Sequence, residues 1–449
     1  MTDAIWLLAA AASGILLLLV LVMWLRLHAF VSLLLVSLVV AVVAGMPLSE
    51  VVDNLEKGVG STLGFVATVV GLGAMFGRML EISGGVDRLA HTLIARFGPD
   101  RVPWAMSVTG FLVAIPVFLD VGFIILVPLV YALSQRANRS LLFYGIPLLA
   151  GLGVTHTFIP PTPGPIAVAS LIHADLGWVI IFGVVCGMPA AIIAGPLFGR
   201  FIARRIDVRV PETMSVTPPR EDVAGLPSFK LIASIILLPL ILILFNTMSG
   251  VLLAEDNPLR STLDFLGDPI VALLITTLVA FYALGTCRGL TREQILSTAT
   301  KSLEPAGVII LVTGAGGAFK QMLIASGVGD VVGHAMATSS LSPLLLAFLI
   351  AAGVRVIQGS ATVAMITAAG LMAPVITSLE LQGPMLGLMT VAIASGATVL
   401  SHVNDSGFWL VKQYFGMTEK QTLLSWTVVE TLIGLIGIAM VMLLDLFVV

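Results

Sequence analysis

The chain is 449 residues long, 58% hydrophobic and 10% charged, with a mean hydropathy of +1.10. A soluble domain carries about 25% charged residues, so this composition excludes a cytosolic enzyme, a nucleic-acid binder and a disordered scaffold. What remains is an all-α polytopic membrane protein; the net charge of −3 points to no acidic or basic partner.

In chain order, Met1-Thr2-Asp3 leads directly into an apolar run without a basic n-region or cleavage site, which reads as a retained first span. A span needs about 20 apolar residues. The predicted spans are 4–25, 28–46, 59–80, 141–157, 177–199, 229–252, 268–286, 304–325, 384–400 and 423–447. Moderately amphipathic stretches at 47–58 and 291–302 suit helices lying in the membrane interface.

Four apolar stretches are too short or too broken to cross. These are 102–118 with 122–134, and 342–357 with 360–377. Each pair is expected to form a re-entrant helical hairpin, which survives at membrane depth only where protein buries it or it lines a cavity. Asp120 interrupts the first hairpin. It can cap the returning helix or, in a low-dielectric cavity, carry a proton. The second hairpin turns at Gln358-Gly359-Ser360-Ala361-Thr362, three residues after Arg355. Arg355 can hold a ligand carboxylate through two parallel hydrogen bonds or pair with an internal acid. Lys320 lies near a helix end and suits a structural, snorkelling role.

Two further helices must break. Thr155-His156-Thr157-Phe158-Ile159-Pro160-Pro161-Thr162-Pro163-Gly164-Pro165 holds four prolines in six residues, and each removes a donor and clashes with the preceding turn. Ser401-His402-Val403-Asn404-Asp405-Ser406-Gly407 is a polar interruption between apolar runs. Breaks expose backbone groups, and a half-helix N-terminus attracts an anion. Candidate binding residues are Thr155, His156, Thr157, Thr162 and Gly164 in the first break, and Ser401, Asn404 and Ser406 in the second. Arg355, Gln358, Ser360 and Thr362 at the second hairpin tip complete the set. Asp120, Asp405, His156 and His402 are the candidates for proton transfer, although a lone histidine is more often a hydrogen-bonded core residue. Cys186 and Cys287 sit in separate apolar segments and form no pair. No Walker A, H-E-x-x-H, G-x-S-x-G or C-x-x-C motif occurs, so neither metal nor cofactor is expected.

A shift of 243 residues aligns Gly71–Leu93 with Gly314–Met336 at nine identities in 23, among them Phe76/Phe319, Ser83/Ser326, Asp87/Asp330 and His91/His334. The chain therefore divides into repeats at 1–205 and 229–449, joined by a polar linker at 206–228. Five spans plus one hairpin per half is an odd number of crossings, which inverts the second copy. With both termini outside, 18 of the 22 Lys and Arg fall in inner loops, as the positive-inside rule requires. Inverted repeats with a hairpin and an interrupted helix in each half describe a secondary transporter with its site near the midplane.

GFVATVVGLGAMFGRMLEISGG, PVFLDVGFIILVPL, THTFIPPTPGP, GAGGAFKQML, RVIQGSATVAMITAAG and SHVNDSGFWLVKQYFGMT together resemble the gluconate permease (GntP-type) family over nearly the whole chain. The resemblance implies a bacterial inner-membrane symporter importing gluconate or a related sugar acid with protons. It also implies a homodimer and an elevator motion, in which 59–175 and 304–415 would move against the other spans. The chain departs from the family pattern at Asp120 and Thr162, where many relatives carry Glu and His. The alternatives are a sodium-coupled carrier, a D-serine or glycerate substrate, a passive channel, and a membrane-embedded enzyme. The last would need a nucleophile–base pair or an acid-rich metal motif, and the sequence has neither.

Overall fold

The computed structural model describes residues 2–211, 225–254, 256–327 and 341–448, and every regular element among them is helical. The middle of the expected linker and the C-terminal part of the second aligned segment lie outside the described residues.

The first half runs α1 (Thr2–Leu19), α2 (Ala29–Val43), α3 (Leu48–Ile82), α4 (Gly85–Phe97), α5 (Val102–Val113), α6 (Leu119–Ala137), α7 (Leu142–Phe158), α8 (Pro163–Ile172) and α9 (Leu176–Ala203). The second runs α10 (Phe229–Leu252), α11 (Pro258–Gly267), α12 (Pro269–Arg288), α13 (Arg292–Ala325), α14 (Pro343–Gln358), α15 (Ala361–Ser378), α16 (Pro384–Gly396), α17 (Ser406–Phe415) and α18 (Glu419–Val448). Among the described residues nine helical stretches are long and apolar enough to cross a membrane. Two of the nine, α6 and α15, are the returning arms of the expected hairpins α5–α6 and α14–α15. The breaks also fall where expected, between α7 and α8 and between α16 and α17.

The interfacial helices expected at 47–58 and 291–302 are not separate elements. They continue into the spans as α3, 35 residues, and α13, 34 residues. No proline interrupts 48–82, and α13 starts from a Thr291–Gln294 capping box and accommodates Pro305. At 1.5 Å per residue each helix is roughly 50 Å long, well beyond the ~30 Å hydrocarbon core. The loop after α3 also holds an amphipathic helix, α4, that was not expected.

Packing divides the helices into two groups. In one, α3 and α13 lie against each other and against α12 and α2 respectively. Glycine permits their approach: a β-carbon on Gly58 would stand 2.6 Å from the Gly317 carbonyl oxygen. The other group is built on the broken helices. There α7 packs on α5 and α9, and α16 packs on α14, α18 and α9. The groups meet where α8 touches α3 and α15 touches α13. Residues 142–172 are the most deeply buried of the span-length stretches, 89% within the protein; this fold places its broken helix at the centre.

Candidate functional site

The second hairpin and the second break are bonded to each other. The last carbonyls of a helix have no partner within it, and α14 ends at the hairpin turn. His402 Nε2 lies 2.8 Å from the Val356 carbonyl oxygen, while Asn404 Nδ2 donates to Val356 and Ile357 at 2.9 and 3.2 Å. Arg355 reaches forward to donate through Nη1 to the Gly359 carbonyl and through Nη2 to Asp405 Oδ2, the latter at 2.6 Å. Gly359 has φ +84° and lies directly on the Asn404 backbone, where any β-carbon would collide. Glycine is therefore required at this turn.

Arg355 is only 2% exposed, and its ion pair with Asp405 keeps the buried charge matched. Asp405 has two other tasks. Its Oδ1 accepts from the Gly407 amide and caps α17, and its Oδ2 accepts from the Ser401 hydroxyl. Ser401 is held in turn by Trp426 Nε1, at 2.8 Å, and by the Thr427 hydroxyl. Both come from a wide helical turn at Leu423–Thr427 within α18, a feature that re-aims side chains. Ser360 caps α15 through the Val363 amide. Asn404 and Ser406 are exposed, whereas Gln358 and Thr362 are half-buried.

The first hairpin and break touch without such bonds. Phe118 meets the edge of the His156 ring, and Asp120 lies within electrostatic reach of His156. Asp120 neither caps α6 nor lies in an enclosed cavity. It is exposed rather than enclosed, and α6 is preceded by Phe118 with no side-chain cap. Thr157 and Thr162 donate to the carbonyls of Gly153 and Ile159, at 2.7 and 2.6 Å, within their own segment. Gly164, at the start of α8, lies against Met365 of α15. Lys320 contacts His173, with Nζ 3.1 Å from Nε2, in keeping with a structural role.

A narrow cavity of about 10 Å³ separates the first hairpin tip, Ile115–Phe118, from the break at Pro161–Pro163. Beyond the tip a wider cavity of about 220 Å³ is lined by Arg78, Glu81, Lys301 and Ser302 together with Pro116–Phe118. Arg355 lines neither cavity. A larger one, about 520 Å³, lies apart from the breaks and is lined by Arg139, Arg200, Arg204 and Arg209. Those arginines belong to the loops that the charge count assigns to the inner face.

Among the described residues seven buried polar side-chain atoms have no hydrogen-bond partner, and besides Ser32 Oγ and Thr367 Oγ1 five belong to the first break, the second hairpin tip and α18: Thr155 Oγ1, His156 Nδ1, Arg355 Nε, Gln358 Oε1 and Glu430 Oε1. Native interiors leave few such atoms, and each calls for an explanation. Four of the five residues were singled out by the sequence. Glu430 was not: it is an acid well inside the apolar run 423–447, whose other acid, Asp445, lies near the run's end, and that interior position was the signal.

Over residues 5–447 the chain matches the model of a family described as GntP family permease. It is 42% identical to a gluconate permease of Pseudomonas aeruginosa over 450 residues, covering 99% of each chain. It is 41% identical to a low-affinity gluconate transporter of Escherichia coli K12 over 427 residues, covering 95% of each. The fold resembles that of the Alcanivorax borkumensis YdaH transporter, with a TM-score of 0.66 and 17% identity over 94% of this chain and 99% of that one.

Proposed function

The chain belongs to the GntP permease family, a multi-pass membrane transporter and not an enzyme, and from that premise we propose that it imports gluconate by proton symport. The observation that carries the reading is the set of unpartnered buried polar atoms at the first break, on Thr155 and His156, and at the second hairpin tip, on Arg355 and Gln358. The gluconate carboxylate takes the free Nε edge of Arg355. The Thr155 hydroxyl and the Gln358 amide then meet hydroxyl groups along the polyol.

In this arrangement the second hairpin is latched to its break and Arg355 is covered. Substrate entry parts His402 and Asn404 from the α14 carbonyls. Release toward the inner face passes the first hairpin tip, where no bond holds tip to break and where Arg78 and Lys301 attract an anion.

The same order of helices, hairpin and break in both halves supports inverted repeats at 1–205 and 229–449 with both termini on the outer face of a bacterial inner membrane. The packing groups support an elevator whose moving part differs from the sequence expectation. With α9 and α18 packed on the broken helices, and α3 and α13 packed on each other, the moving block is 102–203 with 343–448. A homodimer built on the α3–α13 group leaves that block free.

Counterflow in proteoliposomes tests the function. Vesicles preloaded with unlabelled gluconate are expected to accumulate external labelled gluconate transiently, with competition by related sugar acids. Absence of counterflow alongside passive equilibration would mean a channel, and competition by D-serine but not gluconate would overturn the substrate.

A further inference from the structure

Glu430 has no part in the binding scheme above, yet it occupies the centre of the fold. It lies in α18 with 4% of its surface exposed, and its Oε1 has no hydrogen-bond partner. Backbone crowds it: a β-carbon on Gly153 of α7 would stand 2.9 Å from Oε1. It is within electrostatic reach of both Arg355 and Asp405.

Among the described residues, the titratable and charged groups around it are few. Of the helices packed on α18, α7 brings His156 near this level, α14 brings Arg355, α9 brings Cys186, α16 brings none, and α17 brings Lys412 only at the start of α18, paired with Glu419. Asp405 comes from the second break. One guanidinium therefore serves two carboxyl groups, and its ion pair goes to Asp405. A buried carboxylate must have its charge matched by a cation or removed by a proton.

We propose that Glu430 is the site of the transported proton. The proposal rests on the reading of this chain as a proton-coupled carrier of an organic anion. Before substrate binds, Glu430 and Asp405 share the field of Arg355. When a substrate carboxylate docks on Arg355, three carboxyl groups face one cation, and Glu430 takes up one proton from water. The loaded site then gains one anion and one proton, with no change in its net charge. On the opposite side the substrate leaves Arg355, and Glu430 returns the proton to water. Anion and proton thus raise each other's affinity through a shared arginine, which is the reciprocity linkage demands.

The test measures proton uptake on gluconate binding to the purified full-length protein, in weakly buffered detergent solution at pH 9, alkaline enough for Glu430 to be ionised before substrate binds, with a pH indicator. The wild type is expected to take up about one proton per gluconate bound. Glu430→Gln, which mimics the protonated acid, is expected to bind gluconate within about threefold of wild type, with proton uptake near zero. It should also retain counterflow while losing accumulation driven by a pH gradient at least tenfold. Proton uptake by the Glu430→Gln variant at the wild-type level would overturn the proposal. So would loss of gluconate binding in a variant that stays monodisperse. If the Glu430→Gln variant does not fold, Glu430→Asp serves: accumulation with an altered pH profile supports the site, and an unchanged profile overturns it. A wild type that binds gluconate without any proton contradicts the coupling reading itself, and one that binds no gluconate contradicts the substrate.

Discussion

Of the two readings that the sequence left open for Arg355, the structure shows the internal pair, with Asp405, and leaves room for the proposed one. The guanidinium pairs with an internal acid, and it still presents an unpartnered Nε. Arg355→Ala is expected to weaken gluconate binding roughly 10- to 100-fold, the range for a lost charge-assisted hydrogen bond, as read by equilibrium binding. The same change strands Asp405, 12% exposed, without its cation, and breaking a buried pair costs about 3–5 kcal/mol. The double variant Arg355→Ala/Asp405→Asn should therefore melt at a higher temperature than Arg355→Ala alone while binding gluconate no more tightly than it does. A single variant as stable as wild type would mean that the pair is dispensable to the fold. Arg355, His156 and Asp405 were legible because each is a polar residue at an interruption. Glu430 was obscured by the apolar run around it, and Asp120 stood out in the sequence yet lies exposed. Sequence indicates that a charge lies in a span, but not which way a helix turns it.

Both breaks, and the turns that part α5 from α6 and α14 from α15, were legible as elements, since proline clusters, glycine turns and short apolar runs have direct backbone consequences. The boundary between an interfacial helix and a span was not. A change in amphipathicity at 58 and 302 does not interrupt the hydrogen-bond ladder, so α3 and α13 run through it. The packing groups were also hidden, because they depend on which glycines meet which backbones. Gly396 against Phe348 and Gly151 against Ser107 fix each hairpin to its broken helix. The proposed sliding surface lies instead between α13 and α15. There a β-carbon built on Gly316 falls 3.8 Å from that of Ile366, the usual separation in a disulfide. In a background with Cys186 and Cys287 changed to serine, Gly316→Cys/Ile366→Cys should form a disulfide under mild oxidation. Transport is expected to fall at least tenfold, with gluconate binding retained and transport restored by reductant. Full transport by the cross-linked protein would contradict movement of α15 against α13.

At the scale of the whole molecule, the scarcity of charge gave the class, and its distribution is the ground for the proposed sidedness. The energy source is less accessible to sequence, because a proton and a sodium ion both use oxygen-rich breaks in broken helices. Among the buried residues facing one another here are a carboxyl pair and a single arginine, chemistry suited to a proton. Coupling matters because an anion entering against an inside-negative potential meets about 2.3 kcal/mol per 100 mV, which one accompanying proton removes. The decisive measurement is uptake of labelled gluconate into proteoliposomes with the membrane potential clamped at zero. An inside-alkaline pH gradient is expected to drive accumulation above the external concentration, and a sodium gradient at uniform pH is expected to drive none. Accumulation driven by sodium and indifferent to the pH gradient would contradict the account.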